Sequence, residues 1–204
     1  MSKTSKRMKD GSKGIDLEKS FSPREALDML QKFPKVKFDQ TVELCFKLGV
    51  DPKKADQQVR STVCLPHGSG KTEIVLVFAK GDKEKEAIEA GADFVGSDDL
   101  AEKIIGGWTG FTKVVATPDM MRVVGKLGKV LGPRGLMPAP KAGTVTQDVK
   151  KAVKEIKAGK IEFKVDKSGN IHTLFGKLSF STDQLIENFM VLLEAIVKSR
   201  PNTV

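Results

Sequence analysis

The segment Leu65-Pro-His-Gly-Ser-Gly-Lys-Thr72 ends in Gly-Lys-Thr, with which phosphate-cradling loops place a lysine and a hydroxyl on a nucleotide. That chemistry also needs a glycine five residues before the second one, and the position is held by Leu65. The segment moreover precedes an apolar run, whereas a phosphate loop follows a strand and opens a helix. It therefore reads as a turn where the chain crosses between domains. Gly125-Lys-Leu-Gly128 has the GxxG spacing of an RNA-clamping loop, but its flanks have helical periodicity. His67 and His172 are the two histidines, and neither sits in a pattern of carboxylates or cysteines. Cys45 and Cys64 lack CxxC spacing, so neither a metal site nor a disulfide framework is indicated, and a reducing cytosol is the simplest home. No catalytic residue, metal or cofactor is expected.

The most specific local feature is Gly132-Pro-Arg-Gly-Leu-Met-Pro-Ala-Pro-Lys-Ala-Gly-Thr144, with three prolines and three glycines in thirteen residues. Such a backbone is too restricted for a random linker and would hold Arg134 and Lys141 at fixed positions. Two readings stand side by side: a preset loop contacting phosphates, or a cover packing two domains together.

Charge gives the class of partner. The 204 residues carry 35 Lys+Arg against 26 Asp+Glu, a formal +9, which points toward a polyanion. The excess is uneven: residues 121–160 hold ten cations and two carboxylates, residues 73–120 five and ten. Within 121–160, Arg122, Lys126 and Lys129 share one helical face, and Lys150, Lys154 and Lys157 share another. Two basic stripes are a sharper signal of polyanion contact than bulk charge. The longest apolar run, Ile74–Ala79, is far below the roughly 20 residues of a membrane helix, so no membrane partner is expected. The first residues have Lys and Arg but no apolar stretch, unlike a secretory signal.

These features must be positioned by a mixed set of elements. After a polar N-terminal arm, Ser22-Pro23-Arg24-Glu25 is a capping box with proline at the first helical position, opening a helix to Lys32. Phe38–Leu48 alternates with period two, and Val59–Leu65 reads as a second, antiparallel strand. From Glu73 the texture changes to strands alternating with helices. Buried-type strands are expected at Glu73–Ala79 and Lys113–Thr117, with a short one at Asp93–Val95. Helices are expected at Asp82–Ala90, from a Ser97 cap to Ile105, at Pro118–Leu131 and at Gln147–Ala158. Period two returns at Lys160, with a hairpin turning at Asp166–Asn170 back through Ile171–Phe180. Ser181–Gln184 is a second capping box, before a helix with a wide apolar face. The economical architecture is α/β (α+β): a discontinuous domain from both chain ends, residues 1–67 and 160–204, with an α/β domain, 68–159, inserted between them.

The loop GPRGLMPAPKAGTVT resembles the signature of the L-one family of large-subunit ribosomal proteins, and the resemblance continues through KFDQTVELCFKLGVDPKKADQQVRSTVCLPHGSGK, EAGADFVGSDDL, VVATPDMM, GKLGKVLG, KAGKIEFKVDKSGNIH and GKLSF. It implies a split βαβ domain with an inserted Rossmann-like three-layer α/β domain, and a non-enzymatic protein of the cytoplasmic ribosome, monomeric there. The implied partners are the large-subunit rRNA stalk and exit-site tRNA, whose deacylated form the family helps release. Its own operon mRNA is an alternative partner, bound as a translational repressor through the same surface. The implied RNA contacts are Lys6, Arg7, Lys37, Phe38, Thr41, Asp166, Lys167, Ser168, Gly169 and His172; the phosphate-contact reading of the proline-rich loop adds Arg134 and Lys141 as secondary contacts. It also implies a further strand carrying Thr-Met-Gly after the final helix. The sequence runs to Val204 without that tripeptide, so one strand of the implied surface is expected to be missing.

Overall fold

The computed structural model describes residues 5–16 and 18–201. In chain order its elements are α1 (Lys6–Gly11), α2 (Pro23–Lys32), β1 (Thr41–Lys47), β2 (Arg60–Cys64), β3 (Val75–Phe78), α3 (Asp82–Glu89), β4 (Phe94–Gly96), α4 (Asp98–Ile105), β5 (Lys113–Ala116), α5 (Met121–Lys126), α6 (Gly128–Leu131), α7 (Val149–Lys157), β6 (Lys160–Lys164), β7 (Asn170–Lys177) and α8 (Thr182–Ser199). Asn202–Val204, where the resemblance expects a continuation, lie outside the described residues, as do Met1–Thr4 of the arm.

The middle of the chain is a three-layer sandwich. β3 is flanked by β4 and β5, both parallel to it, and all four of its residues are buried. Alternation across the pleat divides them: Leu76 and Phe78 face α4, α5 and α6 with Ile104, Val124, Leu127 and Leu131, while Val75 and Val77 face α3 and α7 with Ala87, Val149, Val153 and Ile156. A strand covered by helices on both faces reads as a continuous apolar run, which is why EIVLVFA stands out.

The chain ends share a separate core. Leu27 of α2, Val42, Val59 and Leu65 pack with Ile161, Phe163, Ile171, Phe175, Leu185, Leu192 and Ile196. β1 pairs antiparallel with β7, from Thr41 opposite Lys177 to Lys47 opposite Asn170, with a bulge that skips Phe175. β2 pairs antiparallel with β6. Both capping boxes form: Ser22 with Glu25 at α2, and Ser181 with Gln184 at α8. The two helices are joined at these starts by Arg24–Asp183 at 2.6 Å and by Thr182 Oγ1 donating to Asp28 at 3.0 Å.

The mixed α/β class is as expected, and the polar arm holds a helix, Lys6–Gly11, capped by Ser5. Three local expectations need correction. Ser97 precedes α4 without a side-chain capping bond. The helix expected over Pro118–Leu131 is broken into a 3-10 turn, α5 and α6; Leu127 donates to Val124 three residues back, between two glycines that hold a helix weakly. The hairpin at Asp166–Asn170 carries one bridge, Val165 with Ile171; beyond it β6 goes to β2 and β7 to β1, since each strand finds its ladder on its far side. The wide apolar face of α8 enters the core through Leu185, Leu192 and Ile196, with Ile186 and Phe189 packed against them; Met190 and Val197 are exposed, and the buried row contains a polar residue, Asn188.

Candidate RNA interface

The first candidate residues are placed by the approach to β1. Lys37 and Phe38 lie just before the strand and are exposed, Phe38 at 70%, the most exposed large apolar side chain among the described residues. Thr41 begins the strand, and its hydroxyl accepts from Lys177 Nζ at 3.1 Å; the same ammonium donates to the Asp39 carbonyl at 3.3 Å. Asp39 in turn accepts from the Ser179 backbone and hydroxyl, at 3.2 and 2.7 Å. The segment bearing Lys37 and Phe38 is thus bound to the segment that follows β7. Lys177 is a participant that sequence reasoning missed, because its role depends on the β1–β7 register.

Lys6 and Arg7 come to the same end from α1. Lys6 is exposed, whereas Arg7 is committed to structure: its guanidinium donates to the Pro34 carbonyl at 3.1 Å and to Gln40 Oε1 at 3.3 Å. Arg7 therefore fixes the loop that carries Lys37 and Phe38.

The second group sits at the other end of the ladder. Asp166 Oδ1 accepts from the backbone N–H groups of Ser168 and Asn170, at 2.8 and 2.9 Å. Those bonds, Asn170's first, hold its carboxyl below the ordinary aspartate range, with a smaller contribution from His172. The turn presents Lys167 and Ser168 outward. Gly169 is buried: its φ is +81°, its carbonyl accepts from Leu48, and a Cβ there would lie 2.8 Å from the Val50 carbonyl oxygen. It shapes the turn and offers no surface. His172 projects outward beside Cys45, its Nε2 being 3.6 Å from Asp166 and 3.9 Å from Cys45 Sγ. Both neighbours approach the same ring nitrogen, so the trio cannot relay a proton as a nucleophile–base–acid triad does.

The two groups lie at opposite ends of one sheet face. Val42, Leu44 and Phe46 point into the core, and Glu43, Cys45 and Lys47 point out between the groups. At about 3.4 Å per residue, the six steps from Thr41 to Lys47 span roughly 20 Å. A polar, two-ended platform of this length suits a structured polynucleotide: cations at each end, Glu43 and Cys45 exposed between them, and one exposed aromatic ring.

The middle of the chain behaves differently from the sequence expectation. Of the α7 stripe, Lys150 pairs with Glu89 at 3.3 Å and Lys157 with Asp93 at 3.0 Å. The acidic stretch 73–120 and the basic stretch 121–160 partly answer each other inside one sandwich, because α3 and α7 share a face of the sheet. Lys154 remains exposed without a carboxylate within 4.0 Å among the described residues, as do Arg122, Lys126 and Lys129. The proline-rich loop packs inward through Leu136, Met137, Pro138 and Ala142, and with β2 and β6 it borders a small cavity of about 40 Å³. It is a cover between the two cores whose outer side exposes Arg134 and Lys141.

The Gly-Lys-Thr segment is the crossing turn. Ser69 is buried, Gly68 and Gly70 have φ of +67° and +69°, and no helix follows Thr72, which leads straight into β3. Its backbone is held by Asn188 of α8.

Residues 30–204 match the profile described as "Ribosomal protein L1p/L10e family". The chain is 61% identical over 201 residues to the large ribosomal subunit protein uL1 of Protochlamydia amoebophila, covering 98% of this chain and 85% of that protein. It is 60% identical over 203 residues to the protein of the same name from Chlamydia trachomatis serovar L2b, covering 100% and 88%. A match at 59% identity joins it to the uL1 of Chlamydia caviae, over 98% of this chain and 87% of the relative. With a profile matching most of its length and relatives of this similarity, the chain belongs to the Ribosomal protein L1p/L10e family.

Proposed function

We propose that this chain is a constituent of the large ribosomal subunit that binds large-subunit rRNA at the mobile stalk and assists release of deacylated tRNA from the exit site. Members of its family are ribosomal proteins and not enzymes. The observation that carries the RNA reading is the outward face of β1 and β7, with Lys6, Lys37 and Phe38 at one end and Lys167, Ser168 and His172 at the other. In this reading residues 1–67 and 160–204 form the RNA-binding domain, and 68–159 the inserted one. Arg134 and Lys141 offer secondary phosphate contacts. Lys6, Lys37 and Lys167 meet phosphates, and Asp166 and Gly169 keep the 166–170 turn in the shape that presents Lys167.

The test is a titration of the purified chain with a transcript of the stalk rRNA helices and with an unrelated duplex of equal length, at several salt concentrations. The expected result is a preference for the stalk transcript and an affinity that falls steeply as salt rises. Equal binding to both RNAs would overturn the reading.

A further inference from the structure

Lys177 stands opposite Thr41 because of the bulge in the β1–β7 ladder. Glu43 lies opposite Leu174, so an unbroken register would bring Gly176 to Thr41; the ladder skips Phe175, and Lys177 arrives there instead. Directly opposed residues share a face, and since Val42 points into the core this face is the outward one. We infer that Lys177 is a positioning residue for RNA. It meets no phosphate itself, but occupies a lone pair of the Thr41 hydroxyl, so that this hydroxyl is presented to an RNA oxygen or nitrogen as a hydrogen-bond donor. The inference rests on the RNA-binding reading above and deepens it.

Three observations converge. The direction of the bond is fixed by chemistry: an ammonium has donors and no acceptor, so Thr41 Oγ1 accepts from Lys177 Nζ at 3.1 Å. The hydroxyl's own proton is then left without an acceptor among the described residues, on the face that carries the candidate RNA contacts. The ammonium, in turn, is committed within the protein. Its second bond, to the Asp39 carbonyl at 3.3 Å, uses another of its three hydrogens, whereas Lys37 and Lys167 are exposed. The stem is held as well. A Cβ on Gly70 would collide with the Lys177 Cγ, so the crossing turn lays bare backbone against the lysine. Next to it, the Leu178 N–H donates to the Gln40 carbonyl at 2.8 Å and the Phe180 N–H to the Lys177 carbonyl at 3.0 Å. A lysine fixed at backbone, stem and ammonium has already lost the rotamer freedom that ordering it on RNA would cost, as a preset donor requires.

The experiment uses the full chain and the stalk transcript, with affinity measured over a range of salt. Lys177→Met keeps most of the stem and removes the donors; Thr41→Val keeps the shape and removes the hydroxyl. Each should lose about fivefold, the scale of one hydrogen bond, and the double variant should lose no more than the larger single loss. Thr41→Ser keeps the hydroxyl and should bind as wild type does. Lys177→Met should leave the slope of log K against log salt unchanged, whereas removing a lysine from a phosphate lowers it by about 1. Lys177 is only partly buried, so Lys177→Met should keep the wild-type urea midpoint, and Lys177→Gln takes its place with the same expectations if it does not. A slope lowered by about 1, losses that add in the double variant, or no loss on changing Lys177 would each overturn the positioning role and leave the RNA reading standing. A Thr41→Ser loss equal to that of Thr41→Val would do the same. Failure of wild type to prefer the stalk transcript would overturn both.

Discussion

The side-chain amide of Asn188 donates to the carbonyl oxygen of Gly68 at 3.1 Å, across 120 residues of sequence. The same side chain donates to the Phe175 carbonyl at 2.8 Å and accepts from the His67 backbone N–H at 3.1 Å. Asn188 is fully buried, so these bonds are exchanged with no water. It fastens α8 to the point where the chain leaves the core of its ends. Asn188→Leu keeps the volume but leaves buried backbone groups unpaired, at about 1–3 kcal/mol each. A total loss of about 3 kcal/mol or more is expected in urea unfolding, where an unchanged midpoint would show that the clasp is dispensable.

The two crossings between the cores meet at Gly68 and Gly159. Gly159 has φ of +100°, and a Cβ on it would lie 2.4 Å from the Gly68 Cα. Both the dihedral and the space demand glycine. Gly159→Ala should therefore destabilise by on the order of 3 kcal/mol, combining backbone strain with a backbone clash that no rotamer relieves. Thermal unfolding reads this directly, with Gly91→Ala as a control: its φ is +88°, but a Cβ there meets nothing within 4 Å, so it carries the strain alone.

These two sites show where sequence reasoning reached and where it stopped. Capping boxes, the continuous apolar run of β3 and the alternation of β1 depend on neighbours in sequence, and the structure has them where the patterns fall. Asn188 was invisible because one polar residue on an apolar helix looks like an interruption until His67 and Gly68, about 120 residues away, are placed beside it. The α7 stripe misled for the same reason: helical spacing puts Lys150 and Lys157 on one face, but only the packing of α3 against α7 brings Glu89 and Asp93 to them. The bond from Lys177 to Thr41 joins residues 136 apart in the chain, and no local pattern announces it.

Asp93 provides a pH-dependent readout of the middle sandwich. The Val75 backbone N–H at 2.8 Å, and to a lesser degree the Lys157 ammonium at 3.0 Å, hold its carboxyl below the ordinary aspartate range against the opposing effect of burial. A lowered folded-state value means that the stabilisation is fully present above the unfolded value and is lost as pH falls through the folded one. Wild type should thus exceed Asp93→Asn in urea midpoint by a constant margin from neutral pH down to about 5, and the margin should shrink below about 4. A margin that stays the same across this range would mean that the ionised carboxylate contributes nothing.

Net charge and RNA contact are expected to separate by position. Lys37 and Lys167 are exposed at the two ends of the β1–β7 face, whereas Lys150 is paired with Glu89 on the α3 side of the sandwich. Each lysine that meets a phosphate releases about one counterion, so removing it lowers the slope of log K against log salt by about 1. Lys37→Ala and Lys167→Ala should each do so on the stalk transcript, and the double variant should lose about 2. Lys150→Ala removes the same formal charge and should leave the slope unchanged, because its ammonium faces a carboxylate. If all three variants reduce the slope equally, the RNA responds to net charge alone and the β1–β7 face loses its privileged place. If only the first two do, the +9 that points toward a polyanion divides into charge that meets RNA and charge that holds α7 against its acidic neighbours.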